Sequence, residues 1–253
     1  MFDFLKRKKP AFTASLPPGR RVYAIGDIHG RLDLLLELSG LIAQDNRERG
    51  AAETDVILLG DLIDRGRDSA GVIRFAREAQ PPWARLTAIK GNHEAFFLDI
   101  YNGNIDRLGP WVEYGGRQML ESFGVNPDLL DDPEANPKAV LAAMRAAIPP
   151  DVITWIEAMP VAVRVGDYLF VHAGIRPGVP LDEQLEEDAL WIREDFLESQ
   201  ADHGATIVHG HTIVPKVVNR ANRIGVDTGA YRSDRLTAVG LEGTERWFLQ
   251  TSY

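Results

Sequence analysis

The chain contains no cysteine. That absence excludes disulfides, thiolate metal ligands and any mechanism that passes through a cysteinyl phosphate. No apolar run reaches the roughly 18 residues that a membrane-spanning helix needs, so stable membrane insertion is not expected. Positive charge is also short: 28 Lys and Arg stand against 37 Asp and Glu, a net charge of −9. No broad electrostatic footprint for nucleic acid exists. Histidine is scarce, at six in 253 residues, so the places where the six fall carry information. The remainder, 45% hydrophobic and 26% charged, is enough for the full core of one large α/β domain. A cytoplasmic location fits this composition.

The first residues are different in character. Lys6, Arg7, Lys8 and Lys9 form a basic cluster, but Pro10, Thr13, Ser15, Pro17 and Pro18 follow it. A secretory signal would place an apolar segment there. Residues 1–20 read as a flexible, basic, proline-containing leader, and residues 21–253 as one folded domain. Phe2, Phe4 and Leu5 beside the basic cluster would anchor poorly to an acidic membrane surface.

From residue 21 the pattern alternates. RVYAIG (21–26), DVILLG (55–60) and residues 86–90 read as buried strands. Apolar stripes at helical spacing separate them, with Leu32, Leu35, Leu36, Leu38 and Ile42 in one and Val72, Ile73, Phe75 and Ala76 in the next. This order predicts a largely parallel sheet with right-handed crossovers and a ligand site beyond the carboxyl ends of its strands. Residues 94–160 read as a helical insertion, broken at Gly115 and Gly116. The final third is strand-rich, opening with a hairpin whose turn is Gly166–Asp167. Its short strands suggest a second, mostly antiparallel sheet packed on the first.

Polar residues cluster where the strands end. Asp27 and His29 lie in GDIHG (26–30), and Asp61, Asp64 and Arg65 in GDLIDRG (60–66). Asn92, His93 and Glu94 lie in GNHE (91–94), His172 in VHAG, His211 in HGHT and Asp227 in VDTG. Four of the six histidines thus follow apolar strands and stand beside glycine; His203 and His209 lack that context and are read as non-ligands. One Asp-x-His on a loop is most simply a turn. Six such loops are a constellation. Imidazole, carboxylate and carboxamide without thiolate suit Mn²⁺, Fe²⁺ or Zn²⁺. Asp27, His29, Asp61, Asn92, His172 and His211 are too many ligands for one ion, and two ions with one bridging residue account for all six. Two metals about 3.5–4 Å apart clamp the attacking and leaving oxygens of an in-line displacement and draw a bridging water toward hydroxide.

GDIHG, GDLIDRG, GNHE, HAG and GHT, in this order, resemble the motif set of the PPP-type phosphoprotein phosphatases within the calcineurin-like metallophosphoesterases. The resemblance runs over residues 22–231, and DTGAYRSDRLTAV (227–239) and WVEYGGRQMLESFG (111–124) are similar to the compact bacterial members. It implies an α/β sandwich of two mixed sheets flanked by helices. It also implies a protein serine/threonine phosphatase with two divalent ions, Mn²⁺ foremost, acting on phosphorylated proteins or peptides. On this resemblance Asp27, His29 and bridging Asp61 hold the first ion, and Asp61, Asn92, His172 and His211 the second. His93 oriented by Asp64 is the general acid, while Arg65, Arg193 and Asn92 contact the phosphate. An alkoxide is a poor leaving group and needs such an acid, and an arginine fork binds two phosphoryl oxygens.

Lys90 departs from the pattern, standing where arginine is common, and lacks the bidentate geometry of a guanidinium. Asp227 reads as structural, holding a loop or a ligating histidine, and Tyr231 reads equally as cleft lining or packing. The acidic stretch 182–188 is a solvated face, or else a rim favouring basic peptides. Two other functions share the framework. Symmetrical dinucleoside tetraphosphate hydrolases resemble GDLVARG at the second motif, where this chain has Asp64. A non-catalytic phosphoprotein-binding module should have lost a ligand or the acid, and none is missing.

Overall fold

The computed structural model describes residues 13–252. Strand β1 (Arg20–Ile25) leads through helix α1 (Leu32–Glu48) to β2 (Glu53–Leu58), and thence through α2 (Ser69–Glu78) to β3 (Arg85–Ala88). The three strands pair in parallel, as right-handed crossover units require. Helix α1 buries Leu34, Leu35, Leu38 and Ile42 on one face. Asp68 starts α2 by accepting the Gly71 N–H at 2.8 Å.

Helices α3 (Asn92–Tyr101) and α4 (Leu108–Trp111) follow, then a π-helical turn (Val112–Gly116), α5 (Arg117–Ser122), α6 (Pro137–Ala147) and α7 (Pro150–Glu157). These fill the stretch read as a helical insertion. Its break is the π-helical turn, where Gly115 has φ 123°. The hairpin β4 (Ala162–Val165) and β5 (Tyr168–Val171) comes next. Then come α8 (Glu186–Trp191), α9 (Glu194–Leu197), β6 (Thr206–His209), β7 (Val218–Asn219), β8 (Arg223–Gly225), α10 (Ala230–Ser233), β9 (Thr237–Glu242) and β10 (Glu245–Gln250).

The sheets run β10-β9-β1-β2-β3 and β4-β5-β6-β8-β7, and both are mixed. One expectation is corrected here. The late strands do not all join a second, mostly antiparallel sheet. β9 and β10 complete the first sheet, β9 pairing antiparallel with β1, while β5, β6 and β8 pair in parallel in the second. The edge of β1 away from β2 has backbone groups to satisfy, and β9 satisfies them.

Alternation along each strand sorts the core into layers. Val22 and Ala24 of β1 face the second sheet, meeting Tyr168 and Phe170 of β5 and Val208 of β6. Tyr23 and Ile25 face the other way, onto α1 and α2. Leu169 and Val171 of β5 face outward under Ala189, Ile192 and Phe196. The order is therefore helix, sheet, sheet, helix. The leader expected over 1–20 falls partly outside the described residues. Within them, the chain is packed from residue 14: Ala14 and Leu16 are buried between the sheets, and Leu16 N–H donates to Gly243 C=O at 2.9 Å. Among the described residues no single helix is long and apolar enough to cross a membrane.

Candidate metal centre

The loops after β1, β2, β3, β5, β6 and β8 meet at one rim. His29, Asp61, Asp64, Arg65 and His211 all have positive φ, between 46° and 70°. Such backbone costs about 1–3 kcal/mol at each residue and persists only where the surroundings hold it. Here they do. Asp61 C=O accepts the Ile28 and His29 N–H groups at 3.1 and 2.8 Å. The Glu94 carboxylate, fully buried, accepts the N–H groups of Asp61, Leu62 and Gly91 at 2.9, 2.8 and 2.8 Å. The turn after β2 is thereby pinned to the turn before α3.

Asp61, Asn92, His172 and His211 form the tighter group. His172 Nε2 and His211 Nδ1 lie 2.8 and 2.9 Å from Asn92 Oδ1, and 3.1 Å from each other. Asp61 Oδ1 is 3.4 Å from His172 Nε2. His172 Nδ1 donates to Leu59 C=O at 2.8 Å, which leaves Nε2 with a lone pair facing the carboxamide and carboxylate oxygens. Lone pairs gathered this way are satisfied together by a divalent cation. Burial, then the neighbouring His172, lowers His211 to about 3, and burial lowers His172 as well. Both imidazoles are kept in the neutral, ligating form.

The second group is His29, Asp61 and His93. Asp61 Oδ2 lies 3.6 Å from His29 Nε2 and 4.0 Å from His93 Nε2. Asp61 therefore turns one oxygen to each group. Burial works to raise its pKa, but the imidazoles of His172, His93, His29 and His211 outweigh burial and hold it below the usual carboxylate range. His29 Nδ1 donates to Ile63 C=O at 2.8 Å, and its Nε2 receives Arg65 Nη1 at 2.7 Å. Asp27 stands beside these groups rather than in either. Its two oxygens accept the His211 N–H at 3.0 and 3.1 Å. Burial, Asp227 and Asp61 raise Asp27 well above its ordinary value, and burial raises Asp227 to about 6. The buried carboxylates of Asp27 and Asp61, the Asn92 carboxamide and the imidazoles of His29, His172 and His211 form a donor set that fits divalent cations.

His93 and Asp64 are brought together. His93 Nδ1 donates to Asp64 Oδ2 at 2.6 Å. Burial opposes the charged imidazole, but Asp61 and Asp64 outweigh it and raise the His93 pKa. Arg65, Arg193, Asn92 and His93 line a cavity of about 300 Å³ whose other walls include Phe96, Trp111, Tyr114 and Trp191.

The family model of the calcineurin-like phosphoesterases matches residues 20–240. The chain belongs to that family. It is 28% identical over 232 residues to serine/threonine-protein phosphatase 1 of Salmonella typhimurium, covering 88% of this chain and 93% of the relative. It is 25% identical over 224 residues to a symmetrical bis(5'-nucleosyl)-tetraphosphatase of Nitrosospira multiformis, covering 84% and 69%. A solved structure provisionally assigned as a diadenosine tetraphosphatase superposes with TM-score 0.62 at 21% identity, covering 95% of this chain and 99% of its own.

In this metallophosphoesterase several residues hold places that the sequence left open. Lys90 pairs with Glu186 at 3.7 Å. Asp227 accepts the Gly229 N–H at 2.8 Å, holding a loop, and has Asp27 rather than a histidine beside it. His209 is buried against Arg223 and Phe196, apart from both donor groups. Tyr231 lies edge-on to His29 with centroids 5.3 Å apart, and the Arg65 guanidinium sits 4.8 Å over its ring. Glu94 was visible in GNHE without a role, because an acid in the first turn of a helix reads as an ordinary cap. Trp111 read only as a helical residue, and its indole N–H donates to Asp64 Oδ2 at 2.9 Å.

Proposed function

We propose that this metallophosphoesterase is a two-metal phosphomonoesterase of phosphorylated proteins, with phosphoserine and phosphothreonine esters as substrates. The observation that carries the reading is the His93–Asp64 pair, held at 2.6 Å beside the donor groups and on the wall of a cavity shared with two arginines. Such an acid serves a leaving group that departs poorly unprotonated. Similarity to a serine/threonine-protein phosphatase along most of both chains supports the substrate class.

Asp61, Asn92, His172 and His211 would hold one ion, and Asp27, His29 and Asp61 the other. Mn²⁺ is the first choice, and Fe²⁺ or Zn²⁺ is compatible with the same donors. When bound, the ions supply charge against the phosphoryl oxygens and make water a nucleophile at neutral pH. Arg65 and Arg193 present guanidinium groups to the phosphoryl oxygens, and the Asn92 side chain borders the same space. As water adds to phosphorus, the electron pair of the ester P–O bond passes to the departing oxygen. His93 Nε2 gives that oxygen its proton, and the alcohol and phosphate leave. Asp64 keeps the ring in register and favours its charged form.

A second reading is hydrolysis of dinucleoside polyphosphates. The aromatic walls Phe96, Tyr114 and Trp191 favour it, because a base stacks on such surfaces. Metal-reconstituted protein assayed in parallel on matched phosphoserine, phosphothreonine and phosphotyrosine peptides and on diadenosine tetraphosphate decides between them. Preference for the phosphopeptides supports the first reading, and preference for the dinucleotide overturns it. His93→Asn is expected to retain both metals and lose about 10²–10⁴-fold in kcat on phosphopeptides. The loss on p-nitrophenyl phosphate should be smaller, since that leaving group needs less help. Equal losses on both would remove the acid assignment.

A further inference from the structure

Asp64 is fully buried, and one of its oxygens takes both of its side-chain bonds. Oδ2 accepts His93 Nδ1 at 2.6 Å and Trp111 Nε1 at 2.9 Å, while Oδ1 has no partner among the described residues. The two donors come from different parts of the fold. His93 opens α3, and Trp111 closes α4 within the insertion. A carboxylate with a single bond is free to turn about its Cβ–Cγ axis, and the imidazole it orients turns with it. A second donor on the same oxygen removes that freedom.

Trp111 is itself held. It is 1% exposed, and its ring packs on Phe97 with centroids 5.9 Å apart. A Cβ on Gly116 would lie 2.4 Å from the indole, so glycine there gives the ring its seat. One turn on, Gly115 C=O accepts the Arg65 N–H at 3.0 Å. The insertion thus grips the Asp64–Arg65 turn twice, through Trp111 at the end of α4 on the Asp64 carboxylate and through Gly115 of the π-helical turn on the Arg65 N–H. An unusual turn of this kind in a helix often marks a functional position.

We propose that Trp111 is a positioning residue of the phosphatase reaction: its indole N–H fixes the Asp64 carboxylate and, through it, the proton-donating edge of His93. The helical insertion then belongs to the proton-transfer machinery, besides forming a wall of the cleft. This rests on the reading of His93 as the general acid. A tryptophan that only fills space would affect all substrates alike. One that aims the acid matters in proportion to the leaving group's need for a proton.

The test compares kcat on a phosphoserine peptide with kcat on p-nitrophenyl phosphate, in metal-loaded full-length protein. Trp111→Phe is expected to lose about 10-fold more on the peptide than on the aryl ester, the scale of one hydrogen bond to a charged group. In an Asp64→Asn background the same change should add no further difference between the substrates. Because Phe leaves part of the indole's space empty, a second replacement, benzothienylalanine, keeps the shape and removes only the N–H. It should show the same selective loss. An isostere indistinguishable from wild type, or equal losses on both substrates, overturns the proposal. His93→Asn run beside them separates the two ideas. A selective loss there without one at Trp111 sinks the role of Trp111 alone, and none at His93 removes the acid assignment itself.

Discussion

The carboxylate of Asp27 accepts the backbone N–H of His211 through both oxygens, at 3.0 and 3.1 Å, across 184 residues of chain. One loop belongs to the first sheet and the other to the second, so this contact ties the loop that carries Asp27 and His29 to the loop that carries His211. Asp27→Ala should release the His211 loop and weaken both ions. Asp27→Asn keeps an acceptor for the N–H but removes the charge, and should weaken chiefly the ion on the His29 side, by about 10- to 100-fold. Metal content by elemental analysis after dialysis against graded chelator checks this. Wild-type retention of two ions in Asp27→Ala would remove the role.

Glu94 is a backbone clip. Gln in its place keeps one acceptor oxygen and turns an amide N–H₂ toward donors now met by the second oxygen. Glu94→Gln should destabilise the metal-free protein by about 1–3 kcal/mol for each N–H left without an acceptor. Urea unfolding measures it, and a change within about 0.5 kcal/mol, the range of an ordinary surface substitution, would show that the clip carries no stability.

Metal binding should release protons. Burial, with Asp227 and Asp61 beside it, raises Asp27, and burial raises Asp227 to about 6. Below about that pH the metal-free site holds a proton that a cation must displace, so affinity falls as pH falls. The sign for the metal-free fold is the reverse. A carboxyl raised from 3.8 to about 6 binds protons more tightly folded than unfolded, so its contribution to stability is lost as pH rises through that window. Calorimetric Mn²⁺ titrations at pH 6 in two buffers of different ionisation enthalpy should give different apparent enthalpies. Identical values would exclude proton release.

Gly115→Ala should disturb Arg65. The residue has φ 123°, and a Cβ there would lie 2.6 Å from both the Cγ and the backbone N of Arg65. Competitive inhibition by inorganic phosphate should weaken about 10-fold or more as the guanidinium is displaced. Gly124→Ala, at φ 84° with open space around it, carries the backbone strain without the collision and should leave phosphate affinity near wild type. Equal effects at the two positions would show that strain, not Arg65, is responsible.

Leu16 lies in the core between the sheets at 3% exposure. Leu16→Ala is expected to cost about 2–4 kcal/mol, read by urea unfolding. A negligible cost would return residues 14–16 to the leader.

Much of the site is local in origin and was legible in the residues. A buried strand that ends at glycine and then at Asp, His or Asn makes its own loop, and six such loops announce a constellation before any contact is known. The three parallel strands and the helical insertion with its glycine break follow from periodicities of two and 3.6 along short stretches. The sequence by itself therefore determined the strand-end loops and the helical insertion, and through its motif set the family with its two mixed sheets. What only the tertiary structure decided depends on partners far along the chain. Which strand covers the open edge of β1 is a choice between pairings that look alike in one dimension, and β9 took it over the second sheet. Ala14 and Leu16, set among prolines, show no period, and their burial depends on a hairpin some 150 residues away. Trp111 read only as part of a helix, and Glu94 stood in GNHE without a role. Their hydrogen bonds to Asp64 and to the turn after β2 exist because the insertion folds back over the strand ends, a contact between surfaces rather than a pattern in either.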